Sequence, residues 1–136
     1  MAGTKEQNQL ETRIRVAHEL GEWDEATTLA ITGYGPEILG YLVASLGDHT
    51  KASDVFGQFS EDVWRGIAQF SWASSFRTWA YTIARHAAHR LRNNAWQRKQ
   101  PLLSQDMAQL ANKVRDSTIH YLKTSVKDEV NALRAT

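Results

Sequence analysis

The stretch Ser71–Lys99, SWASSFRTWAYTIARHAAHRLRNNAWQRK, decides how the chain is read. From Val63 to Gln105 there is no Asp or Glu, yet seven basic residues fall there: Arg65, Arg77, Arg85, Arg90, Arg92, Arg98 and Lys99. The whole chain has 16 basic and 15 acidic residues, so nine basic against fifteen acidic remain outside this segment. Positive charge is concentrated in one place. Trp64, Phe70, Trp72, Phe76, Trp79, Tyr81 and Trp96 are interleaved with it. Cations for phosphates and aromatic faces for unstacked bases are the composition of a surface that handles nucleic acid.

Helical phase sharpens the reading. At 100° per residue, Phe76, Trp79, Ala80, Ile83, Ala84, Ala87 and Leu91 share one arc suited to a core. Tyr81, Arg85, Ala88, His89 and Arg92 fall opposite, flanked by Arg77 and Thr78, with His86, Arg90 and Asn93 to one side. Solvated helices ordinarily mix charge signs. This one does not. Arg and Asn side chains suit phosphates and base edges, and position alone does not say which. His86 and His89 have i, i+3 spacing, which also fits a metal pair, but no local carboxylate or Cys accompanies them. The expectation is polar surface residues and no metal.

At these residues a resemblance emerges. SSFRTWAYTIARHAAHRLR, preceded by ASDVFGQFSEDVWRGI, resembles the second conserved region of bacterial RNA polymerase sigma factors of the extracytoplasmic-function group. The family's signatures run roughly Asp-Leu-x-Gln-Glu-x-Phe-x-x-Trp and Ser-x-Phe-x-x-Trp-Leu-x-x-Ile-Ala-Arg-Asn. This chain supplies Asp54, Trp64, Ser74, Phe76, Trp79, Ile83, Ala84 and Arg85. Gly57 and Gln58 replace the Gln-Glu pair, Ser60 a common Phe, and His86 the usual Asn. The resemblance covers about Ile38 to Lys99. It implies docking on the β′ coiled coil of core RNA polymerase through Asp54, Gln58, Glu61, Asp62, Trp64 and Arg65. It also implies capture, by the loop before the basic helix, of a base flipped from the non-template strand of the minus-ten element. Trp72, Ser74 and Ser75 are the loop residues placed for such contacts; Trp72 equally fits a loop anchor in the core. Arg77, Tyr81, Arg85, His86, His89, Arg90, Arg92 and Asn93 complete the DNA-contact set.

At 136 residues the chain is short enough for one modest core. It has no Cys, so there is no disulfide framework or thiolate metal site, which suits a reducing cytoplasm. No apolar run approaches the roughly 20 residues that span a bilayer, and the polar N-terminus is unlike a signal peptide. Two prolines and few β-branched runs predict an all-α fold. The expected architecture is a compact bundle of about five or six helices over residues 1–99, then a linker and C-terminal helical extension over 100–136.

Thr4 and Gln7 have capping-box spacing at the start of a helix to Gly21 carrying Leu10, Ile14, Ala17 and Leu20. Asp24 is placed to cap a second helix to about Thr32. Tyr34-Gly35-Pro36 reads as a break, followed by a helix from Glu37 to Leu46 with Gly47 as its C-cap. Thr50 or Asp48 caps a long helix to about Gln69, with Val55, Phe56, Phe59, Val63 and Ile67 as its buried arc. Gly57 within it costs about 1 kcal/mol relative to Ala, so it marks either close packing or drift. Ser74 or Ser75 caps the basic helix. Gln97–Leu103 reads as a linker. Ser104 caps a helix carrying Met107, Leu110, Ala111 and Val114, continued or restarted with Ile119, Leu122, Val126, Val130 and Leu133.

The function expected is a sigma-factor module that binds core polymerase and recognises and melts the minus-ten element. The alternative is a degenerate sigma-like regulator that binds polymerase or an anti-sigma factor without melting. The helix-turn-helix domain that would read a minus-thirty-five element is not found in these residues. No nucleophile elbow, phosphate-binding glycine loop or paired carboxylate lies in the basic segment, so no enzyme is expected and no cofactor is called for.

Overall fold

The structure is a computed structural model that describes residues 4–92 and 104–135, with side chains described as far as residue 124. Among these residues there are five α-helices and no strand: α1 (Lys5–Glu19), α2 (Trp23–Leu46), α3 (His49–Gly66), α4 (Phe76–Arg92) and α5 (Gln105–Ala135). A single 3-10 turn, Ile67–Gln69, ends α3. The all-α bundle is as the sequence predicts. Asn93, Trp96, Arg98, Lys99 and the whole of the expected linker, 97–103, lie outside the described residues, as do the side chains of Val126, Val130 and Leu133.

Helix starts follow local chemistry. The Thr4 hydroxyl accepts from the Gln7 amide (3.1 Å), Asp48 from Lys51 (3.0 Å) and Ser104 from Met107 (3.2 Å). Each fills one of the amides that a helix start leaves without a partner. Gly47 ends α2 in the left-handed region (φ 68°), the conformation for which glycine is favoured at that position. The arc Val55, Phe56, Phe59, Val63 and Ile67 is buried throughout.

One expectation is overturned. Residues 23–46 form one continuous helix, with Pro36 inside it and no break at Tyr34-Gly35-Pro36. Asp24 does not cap it either; the helix begins at Trp23 behind Glu22, which supplies no side-chain cap. An interior proline costs about 3 kcal/mol. Against that, Ile31, Tyr34, Ile38, Leu39 and Leu42 are all buried, each contributing about 1.5–3 kcal/mol. Burial wins. Gly35, read as punctuation, is a packing notch instead, and so is Gly33. A Cβ on Gly35 would stand 2.8 Å from Val114 and 3.2 Å from Phe56, and one on Gly33 would meet Leu10.

α2 is the hub, with α1, α3, α4 and α5 all packed on it. At 24 residues it is long enough, and over most of its length apolar enough, to cross a membrane by length and composition alone. Here that apolar surface faces the other helices. The first half of α5 packs on α2 and α3 through Met107, Ala111 and Val114, so this part of the C-terminal extension belongs to the bundle. α5 runs on without a restart. Gly57 has open space where a Cβ would go, so close packing does not account for it.

Candidate nucleic-acid interface

The core arc of α4 is close to that predicted: Phe76, Ala80, Ala84 and Ala87 are fully buried, with Trp79, Ile83 and Leu91 partly so. Ala88 departs from expectation. Helical phase puts it on the free face, yet it is 1% exposed. The cause is α2, which packs along that flank: Tyr81 meets Tyr41 edge-on at 5.3 Å, and Arg92 donates to the Ser45 carbonyl (3.1 Å) and hydroxyl. The free face of α4 is therefore a narrower crest of Thr78, Arg85, His86 and His89.

The start of α4 is held from a distance. Glu11 of α1 accepts from the Phe76 amide through Oε1 (2.7 Å) and from the Arg77 amide through Oε2 (3.2 Å). The Ser75 hydroxyl accepts from the Thr78 amide (3.1 Å), and the Ser75 carbonyl from Trp79 (3.2 Å). The amides of Phe76, Arg77 and Thr78, which have no helical carbonyl to reach, thus all have partners. Tyr34 donates its hydroxyl to the same Glu11 carboxylate. Burial and that bond push the Tyr34 phenol well above the usual tyrosine range. Ser75 is the cap that the sequence offered; Glu11 left no local signal, being 65 residues away.

The arginines divide by position. Arg77 is ion-paired with Glu37 of α2, which also accepts from the Tyr81 hydroxyl (2.6 Å). Arg77 lies over the Tyr81 ring at 5.0 Å. Partial burial would raise the Glu37 carboxyl, but the bonds from Arg77 and Tyr81 outweigh it and hold the group below the usual carboxylate range. Tyr81 is pushed up to about 12, by burial first and then by its bond to Glu37. On the opposite flank Arg90 is ion-paired with Asp62 of α3 (2.6 Å). Arg85 is different. It is exposed, and its bond is to Thr82 of its own helix (3.3 Å). His86 and His89 are exposed beside it.

The loop before α4 is anchored by Trp72, which is half-buried and has φ 61°. That left-handed backbone is uncommon for a residue other than glycine and costs on the order of 1 kcal/mol. Its indole N–H donates to His18 Nδ1 (3.2 Å), and its ring lies 4.8 Å from Phe70 and 6.3 Å from Phe76. Because Nδ1 accepts, the proton of His18 is assigned to Nε2, which donates to the Ile67 carbonyl (2.8 Å). Of the two readings of Trp72, this geometry supports the anchor. Ser74 is exposed, its hydroxyl donating to the Ser75 carbonyl (3.0 Å).

The second predicted set lies along α3. Asp54 and Arg65 are exposed, and Gln58 and Trp64 partly buried. Glu61 departs from expectation: it is 4% exposed and ion-paired with Arg65 (2.7 Å). It belongs to the packed side of α3 and not to its open polar face. Asp62 accepts from Gln58 (2.8 Å) as well as from Arg90, so the two predicted sets meet at one carboxylate. A groove of about 420 Å³ beside it is lined by Asp62, Ile83, His86, His89 and Arg90. No group of three or more metal-ligating side chains occurs among the described residues.

The described residues thus form a helical bundle whose acid-free helix α4 is presented beside an anchored loop. The sigma-70 region 2 family model matches residues 30–98, about half of the 136-residue chain, and the chain belongs to that family. No match is found among curated proteins or among solved structures. The family is one of sigma factors, which bind core RNA polymerase and recognise promoter DNA and are not enzymes.

Proposed function

We propose that this chain is the promoter-contacting and polymerase-docking module of a bacterial sigma factor of the extracytoplasmic-function group, acting in the cytoplasm. The crest of α4, with Arg85 central and His86 and His89 beside it, meets the phosphates of the non-template strand at the minus-ten element. The loop Ser71–Ser75 receives a flipped base, whose unstacking cost of a few kcal/mol is offset by contacts in the loop. The exposed side of α3, with Asp54, Gln58, Trp64 and Arg65, docks on the β′ coiled coil. Strand opening is driven by binding energy, with no bond made or broken.

The observation that carries this reading is Arg85: exposed, and, among the described residues, bonded within its own helix to Thr82 rather than to a carboxylate. The test is promoter binding by holoenzyme carrying Arg85→Ala, measured across a salt series. Each phosphate contact removed lowers the salt slope by about 1. The variant is expected to lose affinity and to show that shallower slope, and an unchanged affinity and slope would sink the proposal.

A second reading is favoured by α3. With Glu61 buried, Asp62 committed to Arg90, and Gly57, Gln58 and Ser60 in place of the family's usual residues, the helix offers fewer acids to polymerase than its sequence suggests. Under this reading the chain is a sigma-like regulator that binds polymerase or an anti-sigma factor. Separate measurements of β′ coiled-coil binding and single-stranded promoter binding distinguish the two, since a regulator of this kind keeps a protein partner and loses the strand.

A further inference from the structure

The loop Ser71–Ser75 packs against α1, a helix that lies outside the family-matched span and outside the basic segment. Between them is an open cavity of about 440 Å³, lined among others by Glu11, Thr12, Arg15, Trp72, Ser74 and Ser75. That volume is within the roughly 300–1,000 Å³ of small-ligand sites. The Arg15 guanidinium stands over the Trp72 ring, 5.1 Å from its centroid. Trp72 cannot turn to meet a ligand without losing its bond to His18 and its packing on Phe70 and Phe76. An incoming ring therefore meets the guanidinium before it meets the indole.

Arg15 suits that encounter. Its side chain is 57% exposed, and its Nε is held by Glu19 (3.3 Å), which leaves the terminal nitrogens without a partner among the described residues. Both oxygens of Glu11 are occupied by amides of α4 and by Tyr34, while Thr12, Ser74 and Ser75 bring hydroxyls to the rim. A planar cation on an indole, with hydroxyls around it, is a platform for a nucleobase: unstacked bases lie on guanidinium planes as they do on aromatic rings.

We propose that Arg15 is a base-contacting residue, its guanidinium backed by Trp72 forming the wall against which one unstacked base of single-stranded DNA stacks. This rests on the reading of the loop under Proposed function, and the two are separable by experiment. The probes are fluorescein-labelled single-stranded 12-mers, one of thymidines and one of abasic sugar-phosphate units, titrated with the full 136-residue chain. The unaltered chain is expected to bind the thymidine 12-mer at least about fivefold more tightly than the abasic one, the lower end of a single stacked base. Arg15→Ala and Arg15→Lys are expected to collapse that ratio toward one, the lysine variant retaining its affinity for the abasic strand because the charge is kept. Arg85→Ala should weaken binding to both strands and leave their ratio intact. If the unaltered chain discriminates and both Arg15 variants preserve the ratio, the Arg15 assignment is overturned while the proposed function stands. If the unaltered chain binds neither strand, or binds both equally, both fall. Thermal unfolding followed by circular dichroism checks that the variants are folded.

Discussion

Arg77 and Arg85 sit two turns apart on the same helix, in a stretch with no acid for many residues either way, and they have different fates. Arg77 is engaged with Glu37 and lies over Tyr81. Arg85, among the described residues, reaches only the Thr82 hydroxyl on its own helix. The difference is set by the neighbouring helices: α2 brings Glu37 to one flank of α4 and α3 brings Asp62 to the other, 40 residues away in the first case and 28 in the second. A segment without acids is not an environment without acids. Arg77 and Arg90, at the seams, tie α4 to its neighbouring helices; Arg85, on the crest, is the arginine that the proposed function assigns to a partner.

The comparison is tested hardest at the start of α4. Glu11→Ala removes the carboxylate that holds two amides and the Tyr34 hydroxyl, and buried polar groups left without partners cost about 1–3 kcal/mol each. A loss of about 2–3 kcal/mol is expected by urea denaturation, against a change within about 0.5 kcal/mol for Arg85→Ala. Equal losses would erase the distinction between seam and crest.

Gly57 sharpens the comparison from the side of α3, the helix that supplies Asp62. Its Cβ position is open, so Gly57→Ala is expected to stabilise the protein by about 1 kcal/mol without altering nucleic-acid binding. A destabilised variant would mean that the glycine serves packing after all.

The smallest effect belongs to Glu37→Gln, which converts Arg77 from a seam arginine toward a crest one. The pair is more than a third exposed on both sides, so the loss of stability at neutral pH should be no more than about 0.5 kcal/mol. The Glu37 carboxyl is held below its ordinary range in the folded chain. Its contribution is therefore present above the unfolded carboxylate value of about 4.3 and is lost as pH falls through the folded value. The gap between wild type and Glu37→Gln should accordingly close on acidification, as read by denaturation at pH 7 and below pH 4. A gap that widens instead would assign the stabilisation to some other group.

What the sequence made legible was periodic or local. The buried arcs of α3 and α4 follow from spacing, and the caps at Thr4, Asp48, Ser75 and Ser104 follow from residue type beside an apolar run. Tyr34-Gly35-Pro36 was misread because glycine and proline are local signals, while the continuity of α2 is decided by Leu10, Phe56 and Val114 packing into the notches. Within the candidate site, position on α4 was readable and availability was not. Glu37, Asp62 and Ser45 determine which arginines are engaged, and each reaches α4 from a distant part of the chain. His18 and Arg15 were invisible for the same reason: nothing near them in sequence announces a tryptophan more than fifty residues on.

The carboxylate moored on the first two amides of α4 has a consequence for the route of any polyanion across this surface. A helix end normally offers a berth to phosphate through its free amides and positive dipole. Here that berth is taken from within, by Glu11 and by Ser75. Under the proposed function, a strand arriving at α4 finds no end-on landing and lies broadside, along the line that runs past Arg85.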